Sequence, residues 1–322
     1  MIKQNLHTHC KWDDGMNTVK EMIVAARKAG LTSLGVSVHT PVPYSSATCP
    51  ESDLYAYLNE MKTLKEQYAK EGFQLFAGIE WDVLSTMPDD DTEKNGRIIP
   101  GFFSFDYVIG SVHAIPVKRS ENPANPTVSK LLRMMGDRGY DYPVVDEDIK
   151  KTKYMVRDLF GGDGDAAAEQ YFAQYREIAE NPFVNIVGHF DLLKKFCHLY
   201  PYYDDKEYHV FNENSGRYRD AAIAALDLLI KEEKIFELNT RQLYVYSDSK
   251  TPSYTQYPSV QWLEYIRDHG GRVTVSSDAH RAEDVADHFG TAEAILKEVG
   301  FSEIWVLEAA SEGNLFLPHA ME

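Results

Sequence analysis

The sequence predicts an α/β fold whose parallel strands close into a barrel, and three observations favour this class. Seven short apolar runs alternate with segments of helical period along the 322 residues, as in parallel sheets. Six of the seven runs end on a histidine, glutamate or aspartate, and the strand ends of a barrel share one rim. The long connections each follow a run and precede a helical segment, which places them on that rim. Length alone allows one large barrel or two smaller domains.

The predicted strands are the apolar runs together with the residues that end them. Valine, isoleucine and aromatic residues are frequent in them, as expected for strands. The sixth run is the exception, because it ends in Asn239, Thr240 and Arg241 and supplies no metal ligand. We expect the end of this strand to reach the substrate. The strands are predicted at 3–9, 33–39, 74–81, 107–113, 185–191, 235–239 and 272–276.

The segments between the runs have the period of amphipathic helices. In the first, Thr18 and Glu21 form a capping box and Gly30 provides a stop. The second repeats the pattern from Leu54 and stops at Gly72. Further helices are predicted at 166–180, 218–234, 259–269 and 282–299. We interpret residues 1–322 as one barrel domain with long strand-following loops at 84–105, 115–164, 193–216 and 242–258.

Composition excludes several classes of protein. A hydrophobic content of 43% is sufficient for a large core. No apolar stretch approaches the ~20 residues of a membrane span, and no signal peptide opens the sequence, so we expect a soluble, cytoplasmic protein without membrane contact. Cys10, Cys49 and Cys197 are odd in number and irregularly spaced, which argues against a disulfide framework and fits a reducing compartment.

The charge balance narrows the range of partners. Fifty acidic residues against 33 basic ones give a formal net charge of −17. Such a surface repels polyanions, so we expect no nucleic-acid partner, whereas a small phosphomonoester met by local cations remains possible. No obligate protein partner is inferred.

A set of histidines and carboxylates at the strand ends predicts a metal centre. His7 and His9 flank Thr8, so the strand alternation places both imidazoles on one side, where they can chelate an ion. Nitrogen and oxygen ligands without thiolate suit zinc, manganese or iron. Nine candidates are too many for one ion and predict two or three divalent ions, with a carboxylate such as Glu80 as a bridge. The candidates are His7, His9, Asp14, His39, Glu80, His113, His189, Asp278 and His280.

A centre with two or more ions predicts hydrolytic chemistry. Two ions ~3.5 to 4 Å apart can convert a water to hydroxide near neutral pH and hold the non-bridging oxygens of a phosphate during in-line attack. Such a site requires no serine or cysteine nucleophile. Within the set, Glu80, Asp278 and His280 are the predicted catalytic residues.

These residues resemble the PHP (polymerase and histidinol phosphatase) family, in particular its monofunctional histidinol-phosphate phosphatase branch. The resemblance implies a distorted (β/α)7 barrel with a trinuclear metal centre at the carboxyl ends of the strands. The segments that carry it are LHTHCKWDDG at 6–15, GVSVHTPVP at 35–43, GIEWD at 78–82, DYVIGSVHAI at 106–115, VGHFDLLKKF at 187–196, ELNTR at 237–241 and SSDAH at 276–280.

The resemblance also implies a division of the ligands among three ions. Asp13 stays an alternative to Asp14, although the following Gly15 matches the acidic-Gly pattern of the family. Two departures are Val38, where many relatives carry aspartate, and a longer acidic loop at 87–97. The implied sets are His7, His9, Glu80 and Asp278 for one ion, Glu80, His113 and His189 for the second, and Asp14, His39 and His280 for the third.

Arginines near the strand-following loops are candidates for binding the phosphate, because a guanidinium can contact two oxygens at once. Arg157 is the first choice, because its loop is predicted to act as a lid. Arg241 and Arg119 follow, and Arg217 and Arg219 lie in similar positions. A surface ion pair is the alternative role for each. Tyrosines of the same loops could stack on a flat heterocycle or only pack the loops, and they are Tyr200, Tyr202, Tyr203, Tyr208, Tyr244, Tyr246, Tyr254 and Tyr257.

The resulting hypothesis is a phosphoric monoester hydrolase. The resemblance implies that it hydrolyses L-histidinol phosphate to L-histidinol and phosphate in histidine biosynthesis, by attack of a metal-bound hydroxide. Another small phosphate ester, such as a nucleotide or sugar phosphate, is the alternative substrate. An amidohydrolase is less consistent with His113, because those enzymes usually place a bridging lysine at a middle strand end. A metal-binding scaffold without activity is a further alternative, which the complete ligand set disfavours.

Overall fold

Seven parallel strands form the central sheet of the computed structural model, and they are neighbours in sequence order. Just beyond the ends of the first and last strands, Thr8 and Ala279 form a parallel bridge, and the His9 N–H donates to the Ala279 carbonyl at 2.9 Å. This contact closes the sheet into the predicted barrel. The structure describes residues 2–94, 97–118, 140–146, 149–196, 210–245, 256–310 and 313–321. The barrel strands are β1 (Gln4–Asn5), β2 (Ser33–His39), β3 (Gln74–Asp82), β6 (Tyr107–Ser111), β9 (Ile186–Val187), β10 (Ile235–Asn239) and β11 (Arg272–Ser276).

Three of these strands are shorter than predicted, namely β1, β6 and β9, and the reason lies in the ends that carry candidate ligands. After β6, the His113 N–H donates to the side chain of Asp82 at 3.3 Å. The His7 N–H donates to the side chain of Asn5 at 3.1 Å, and the His189 N–H donates to the side chain of Glu237 at 2.7 Å. These backbone groups therefore bond to side chains of the site. The predictions of strands at 3–9, 107–113 and 185–191 were wrong in length, because the chain leaves the sheet where it places a candidate ligand.

Nine α-helices are described, and the predicted ones recur with small shifts. The capping box of Thr18 and Glu21 is confirmed at the start of α1, where each residue bonds to the backbone N–H of the other. The predicted helix at 166–180 is two helices, and the one at 282–299 is a 3₁₀ turn (Ala282–Asp284) followed by a helix. The helices are α1 (Val19–Lys28), α2 (Leu54–Ala69), α3 (Ile149–Leu159), α4 (Gly164–Ala173), α5 (Tyr175–Glu180), α6 (Gly216–Lys231), α7 (Arg241–Val245), α8 (Val260–Asp268) and α9 (Phe289–Val299).

The long connections contain structure that the sequence did not predict. Helix α3 lies within the predicted loop 115–164 and buries Thr152, Met155 and Val156 on one face. Two small antiparallel pairs also occur in these connections. They are β4 (Thr92–Lys94) with β5 (Arg97–Ile99) and β7 (Val117–Lys118) with β8 (Tyr140–Asp141).

A C-terminal hairpin, also not predicted, covers the amino end of the barrel. Its strands are β12 (Glu303–Ala310) and β13 (Gly313–Ala320). Gln4 donates to the Leu307 carbonyl and accepts from the Leu307 N–H, both at 2.8 Å. The Leu307 side chain packs into an apolar cluster inside the amino end of the barrel. The other members of the cluster are Leu6, Phe76, Tyr107, Ile109, Ile186 and Ile235. No described helix is long and apolar enough to cross a membrane.

Candidate metal centre

The predicted ligands lie together at the carboxyl ends of the barrel strands, where the barrel opens into a cavity of about 600 Å³. Eight of the nine fall into three groups that share some members. Within each group, the atoms that could bind an ion all lie within 4.8 Å of one another. The ninth, His189, places its Nε2 3.1 Å from Glu80 Oε1. The groups are His9, Asp14, His39 and His280; His7, His9 and Asp278; and His39, Glu80 and His113.

Glu80 is at the centre of the set and is 1% exposed. Its two oxygens face different histidines, which is the arrangement of a carboxylate that bridges two ions. Oε2 lies 3.2 Å from His7 Nε2, 3.4 Å from His9 Nε2 and 2.9 Å from His39 Nδ1, whereas Oε1 lies 3.4 Å from His113 Nε2 and 3.1 Å from His189 Nε2.

Several of these polar atoms are buried without a hydrogen-bond partner among the described residues. They include His7 Nε2, His9 Nε2 and Glu80 Oε2, which converge on one point. Native proteins rarely leave buried polar atoms unpaired, and a bound ion commonly satisfies those that have no protein partner. The donor set is all nitrogen and oxygen, so the residues fit divalent cations such as zinc, manganese or iron.

The charges of the histidines stabilise the ionised form of Glu80. Burial disfavours a carboxylate, but the neighbouring His39, His7 and His113 outweigh burial and hold the pKa of Glu80 well below its usual range. Glu80 is therefore an anion at neutral pH, as a ligand carboxylate must be.

Two histidines of the set have opposite pKa shifts. Burial lowers the pKa of His9, yet the adjacent Asp13 carboxylate more than offsets burial and raises it to about 10. In His280, burial together with the positive charges of His9 and Arg241 lowers the pKa to about 4. His280 is thus neutral and ready to bind a cation, whereas His9 must lose a proton first.

Asp14 and Asp13 have different surroundings, which separates the two sequence alternatives. Asp14 Oδ1 lies 3.1 Å from His280 Nε2 and 3.8 Å from His39 Nε2, within the ligand cluster. Asp13 instead accepts from the N–H groups of Cys10 and His39 and lies 2.6 Å from His9 Nδ1. Asp14 therefore faces the other ligands, and Asp13 supports one of them from behind.

Asp278 is held in a strained conformation at the end of β11. Its φ of 52° lies in the left-handed region, which costs a non-glycine residue on the order of 1–3 kcal/mol. Its Oδ1 lies 3.3 Å from His9 Nε2 and 3.7 Å from His7 Nε2. This backbone conformation aims the carboxylate at both histidines.

Three outer carboxylates contact the Nδ1 atoms of the candidate ligand histidines, and the sequence indicated only Asp13 among them, as an alternative ligand to Asp14. They are Asp13 on His9 at 2.6 Å, Glu237 on His7 at 2.9 Å and Asp82 on His113 at 3.1 Å. Such contacts select the tautomer that leaves Nε2 free for metal. The sequence could have indicated Asp82, because it lies two residues after Glu80 and therefore on the same face of β3.

Of the proposed phosphate-binding arginines, Arg241 lines the cavity. Its guanidinium donates to the Asp278 carbonyl at 2.6 Å and contacts His280 Nδ1. Lys195, which was not proposed, also lines the cavity, and its Nζ lies 2.5 Å from the carbonyl and 3.4 Å from Oδ2 of Asp146. The end of the sixth strand thus reaches the cavity, and its contact with the substrate stays a prediction.

The other arginines are placed differently. Arg157 lies on α3, is 52% exposed at its side chain, and pairs with Asp158; it is not among the described residues that line the cavity. Arg217 pairs with residues of α4 and its cap, and Arg219 donates to Gln261 at 2.7 Å. Arg119 lies outside the described residues.

One of the candidate loop tyrosines lines the cavity, namely Tyr257, and the Lys194 ammonium lies 5.0 Å from the centre of its ring. Tyr244 donates to the Ser277 carbonyl at 2.8 Å and so packs the rim. The remaining six lie outside the described residues, namely Tyr200, Tyr202, Tyr203, Tyr208, Tyr246 and Tyr254.

Comparisons with known proteins agree with this geometry. The family model for the PHP domain matches residues 5–241. A protein from Deinococcus radiodurans named "Probable histidinol-phosphatase" is 27% identical over 286 residues, which cover 88% of each chain. A protein of the same name from Schizosaccharomyces pombe is 23% identical over 309 residues, covering 92% of this chain and 86% of that one.

A solved structure shares the fold. It is the crystal structure of histidinol phosphate phosphatase from Lactococcus lactis in complex with zinc, L-histidinol and phosphate. The two structures align with a TM-score of 0.59 at 19% identity, over 94% of this chain and 96% of that one. This likeness confirms the predicted distorted (β/α)7 barrel. Because the PHP model spans more than half of the sequence, the chain belongs to the PHP family.

Proposed function

We propose that this protein is a divalent-metal-dependent phosphomonoesterase that hydrolyses L-histidinol phosphate to L-histidinol and phosphate in histidine biosynthesis. The observation that carries the proposal is that imidazole nitrogens with no hydrogen-bond partner in the described part of the chain converge on the buried Glu80 carboxylate at the floor of an open cavity. The substrate is assigned from the names of the two relatives and from the L-histidinol and phosphate bound to the Lactococcus protein.

Two or three ions of zinc, manganese or iron would occupy the ligand groups. Bound there, divalent ions supply a water of lowered pKa and neutralise the charge that develops on the phosphate oxygens. Glu80, Asp278 and His280 are the proposed catalytic residues, because each contacts more than one ligand of the cluster. The proposed sets remain His7, His9, Glu80 and Asp278; Glu80, His113 and His189; and Asp14, His39 and His280.

Besides the metal ions, two side chains of the protein, Arg241 and Lys195, are proposed to bind the phosphate of the substrate. The cavity is also lined by carboxylates, so these two cations, together with the bound ions, would create the local site for an anion in a protein of net charge −17. Arg241 is held by the Asp278 carbonyl, so its remaining N–H groups are oriented before the substrate arrives. Arg157 and Arg119 stay candidates from the sequence, and the exposed position of Arg157 favours Arg241 over it.

The cavity wall also offers groups that suit the rest of L-histidinol phosphate. Tyr257 presents an aromatic ring, which can stack on the imidazole of the substrate. Asp146 presents a carboxylate, and the Lys195 ammonium and the buried His113 and His189 hold its pKa below the usual range against the effect of burial. An ionised carboxylate at this position can pair with the amino group of the substrate.

The test is a substrate panel measured with the wild-type protein loaded with manganese, iron or zinc. We expect kcat/KM for L-histidinol phosphate to exceed that for an aryl phosphate, nucleoside monophosphates and sugar phosphates by about 100-fold or more, since each lacks part of the recognised structure. A higher kcat/KM for a nucleotide or a sugar phosphate would assign the site to that ester instead. Full metal content without phosphate release would favour a metal-binding scaffold.

A further inference from the structure

The Asp82 carboxylate accepts hydrogen bonds from Tyr44, Leu84 and His113, which lie in three different segments of the rim. Asp82 ends β3, is 3% exposed, and lies two residues after Glu80. Its Oδ2 accepts from the Tyr44 hydroxyl at 2.5 Å and lies 3.1 Å from His113 Nδ1. The backbone N–H groups of His113 and Leu84 donate to the same carboxylate at 3.3 and 2.8 Å. Its own N–H donates to the Thr40 hydroxyl at 3.1 Å, which fixes the backbone.

We propose that Tyr44 and Asp82 are positioning residues that hold His113 as a ligand for the ion shared with Glu80 and His189. This inference rests on the proposed metal centre but not on the identity of the substrate. In the neutral imidazole, a proton on His113 Nδ1 that is donated to Asp82 leaves Nε2 with its lone pair, and Nε2 is the atom that lies 3.4 Å from Glu80 Oε1. Tyr44 occupies a second lone pair of Oδ2 and so fixes the direction of the carboxylate.

The two histidines of this proposed ion differ in how they are supported. His113 has the Asp82 contact, whereas His189 Nδ1 is buried without a hydrogen-bond partner in the described part of the chain. The orientation of this ligand pair therefore depends strongly on Asp82. In contrast, His7 and His9 have a carboxylate each, so the ion proposed for those two has support on both imidazoles.

Tyr44 connects this support to the wall of the cavity. Its side chain lines the cavity, yet it is only 4% exposed, and the hydroxyl points at Asp82. Its ring lies 6.3 Å from that of Tyr142, which belongs to the segment after β8. A phenylalanine at position 44 keeps this packing and removes only the hydroxyl, so Tyr44→Phe isolates the hydrogen bond.

The experiment measures metal retention in the purified, metal-loaded protein. Wild type, Tyr44→Phe and Asp82→Asn are loaded with zinc, exposed to a chelator for increasing times, and assayed for zinc per chain by elemental analysis. Loss of an outer contact typically costs about 10–100-fold in metal affinity. We expect one ion to leave faster by about that factor in Asp82→Asn and by about tenfold in Tyr44→Phe, while the other ions leave at the wild-type rate. Tyr142→Phe is the matched control and should behave as wild type.

A second readout separates positioning from substrate contact. Excess zinc in the assay should restore kcat of Tyr44→Phe with little change in KM, because the defect is in ion retention. An unrestored increase in KM would assign Tyr44 to substrate binding and overturn the proposal. Wild-type zinc retention in Tyr44→Phe would also overturn it, as would equal loss of all ions together with a lower melting temperature. If Asp82→Asn does not fold, Tyr44→Phe alone decides.

The outcome is distinct from that of the substrate panel. If wild type retains its ions but does not hydrolyse L-histidinol phosphate, the proposed substrate is wrong while the retention experiment still tests Tyr44 and Asp82. If L-histidinol phosphate is hydrolysed and retention is unchanged in both variants, only the positioning role is wrong.

Discussion

The two ends of the barrel use the same strands for opposite purposes. At the amino end, Leu307 packs into an apolar cluster, and its backbone is bonded to Gln4. At the carboxyl end, His7, His9 and Glu80 are buried with polar atoms that have no hydrogen-bond partner among the described residues, and the rim includes an aspartate at positive φ. Burial of apolar side chains at the amino end stabilises the folded state. This stabilisation offsets the cost of the buried polar groups at the carboxyl end, which are arranged for binding.

The sharpest test of this comparison is Glu80→Gln, which keeps the shape of the side chain and removes its charge. Because Glu80 contacts five histidines of the set, we expect metal and activity to be lost together, by more than the roughly 10–100-fold typical of outer contacts. The measurements are metal per chain and phosphate release. The exposed Glu298→Gln on α9 is the control. Full turnover after metal loss would contradict a metal-dependent mechanism.

A substitution at the other end should affect stability and spare the site. Leu307 is 1% exposed, so Leu307→Ala leaves a cavity and should lower the free energy of unfolding by about 2–5 kcal/mol. Metal content of the folded protein should not change. Leu315→Ala in the same hairpin is the control, because Leu315 is 55% exposed and the change should stay within about 0.5 kcal/mol. Metal loss in folded Leu307→Ala would show that the two ends are coupled.

The two arginine candidates can be compared directly. Arg241 lines the cavity, and hydrogen bonds to charged groups contribute about 1.5–3 kcal/mol, so Arg241→Gln should lower kcat/KM by about 10–150-fold. Arg157→Gln should change it by less than about twofold, because this exposed side chain pairs with Asp158. The measurement is kcat/KM of both variants for the preferred phosphate ester, from steady-state kinetics. A larger loss in Arg157→Gln would support the lid that the sequence predicted.

Metal affinity should fall as the pH falls. Burial lowers the pKa of His7 and His113, but the carboxylates around them, Glu237 and Glu80 foremost, raise both pKa values above the usual range. In the metal-free protein these histidines therefore carry protons at neutral pH that must leave before Nε2 can bind. Apparent affinity should drop by about tenfold per pH unit for each proton displaced. Titration calorimetry in buffers of different ionisation enthalpy would count the protons, and no proton release would contradict the raised pKa values.

Much of the fold was predictable because its signals are local. The apolar runs and the capping box of Thr18 depend on residues that are neighbours in sequence. That the candidate ligands lie together could be predicted for a similar reason, since the carboxyl ends of strands in a parallel barrel meet at one rim, as Glu80 and His113 show. Helix α3 was missed although Thr152, Met155 and Val156 follow a helical period, because its charged residues made the segment resemble a loop.

Contacts between residues far apart in sequence could not be predicted in this way. For Asp13 and Asp14 the sequence offered only the following Gly15 as a guide, whereas the folded chain places Asp14 beside His280 and so favours Asp14 as the candidate ligand. Arg157 and Arg241 both follow strands, yet one lies on the surface of a helix and the other beside Asp278. Glu237 shows the same limit, because its bond to His7 joins residues 230 positions apart.

The order of the seven barrel strands and the set of candidate ligand side chains were therefore contained in the sequence, because periodicity and strand ends are short-range properties. The roles of the carboxylates, the cation that faces the cavity and the hairpin that closes the amino end depended on the folded chain. The physical reason is that a hydrogen bond such as that between Tyr44 and Asp82 is set by the distance between two atoms in space, and this distance follows from how the strands pack.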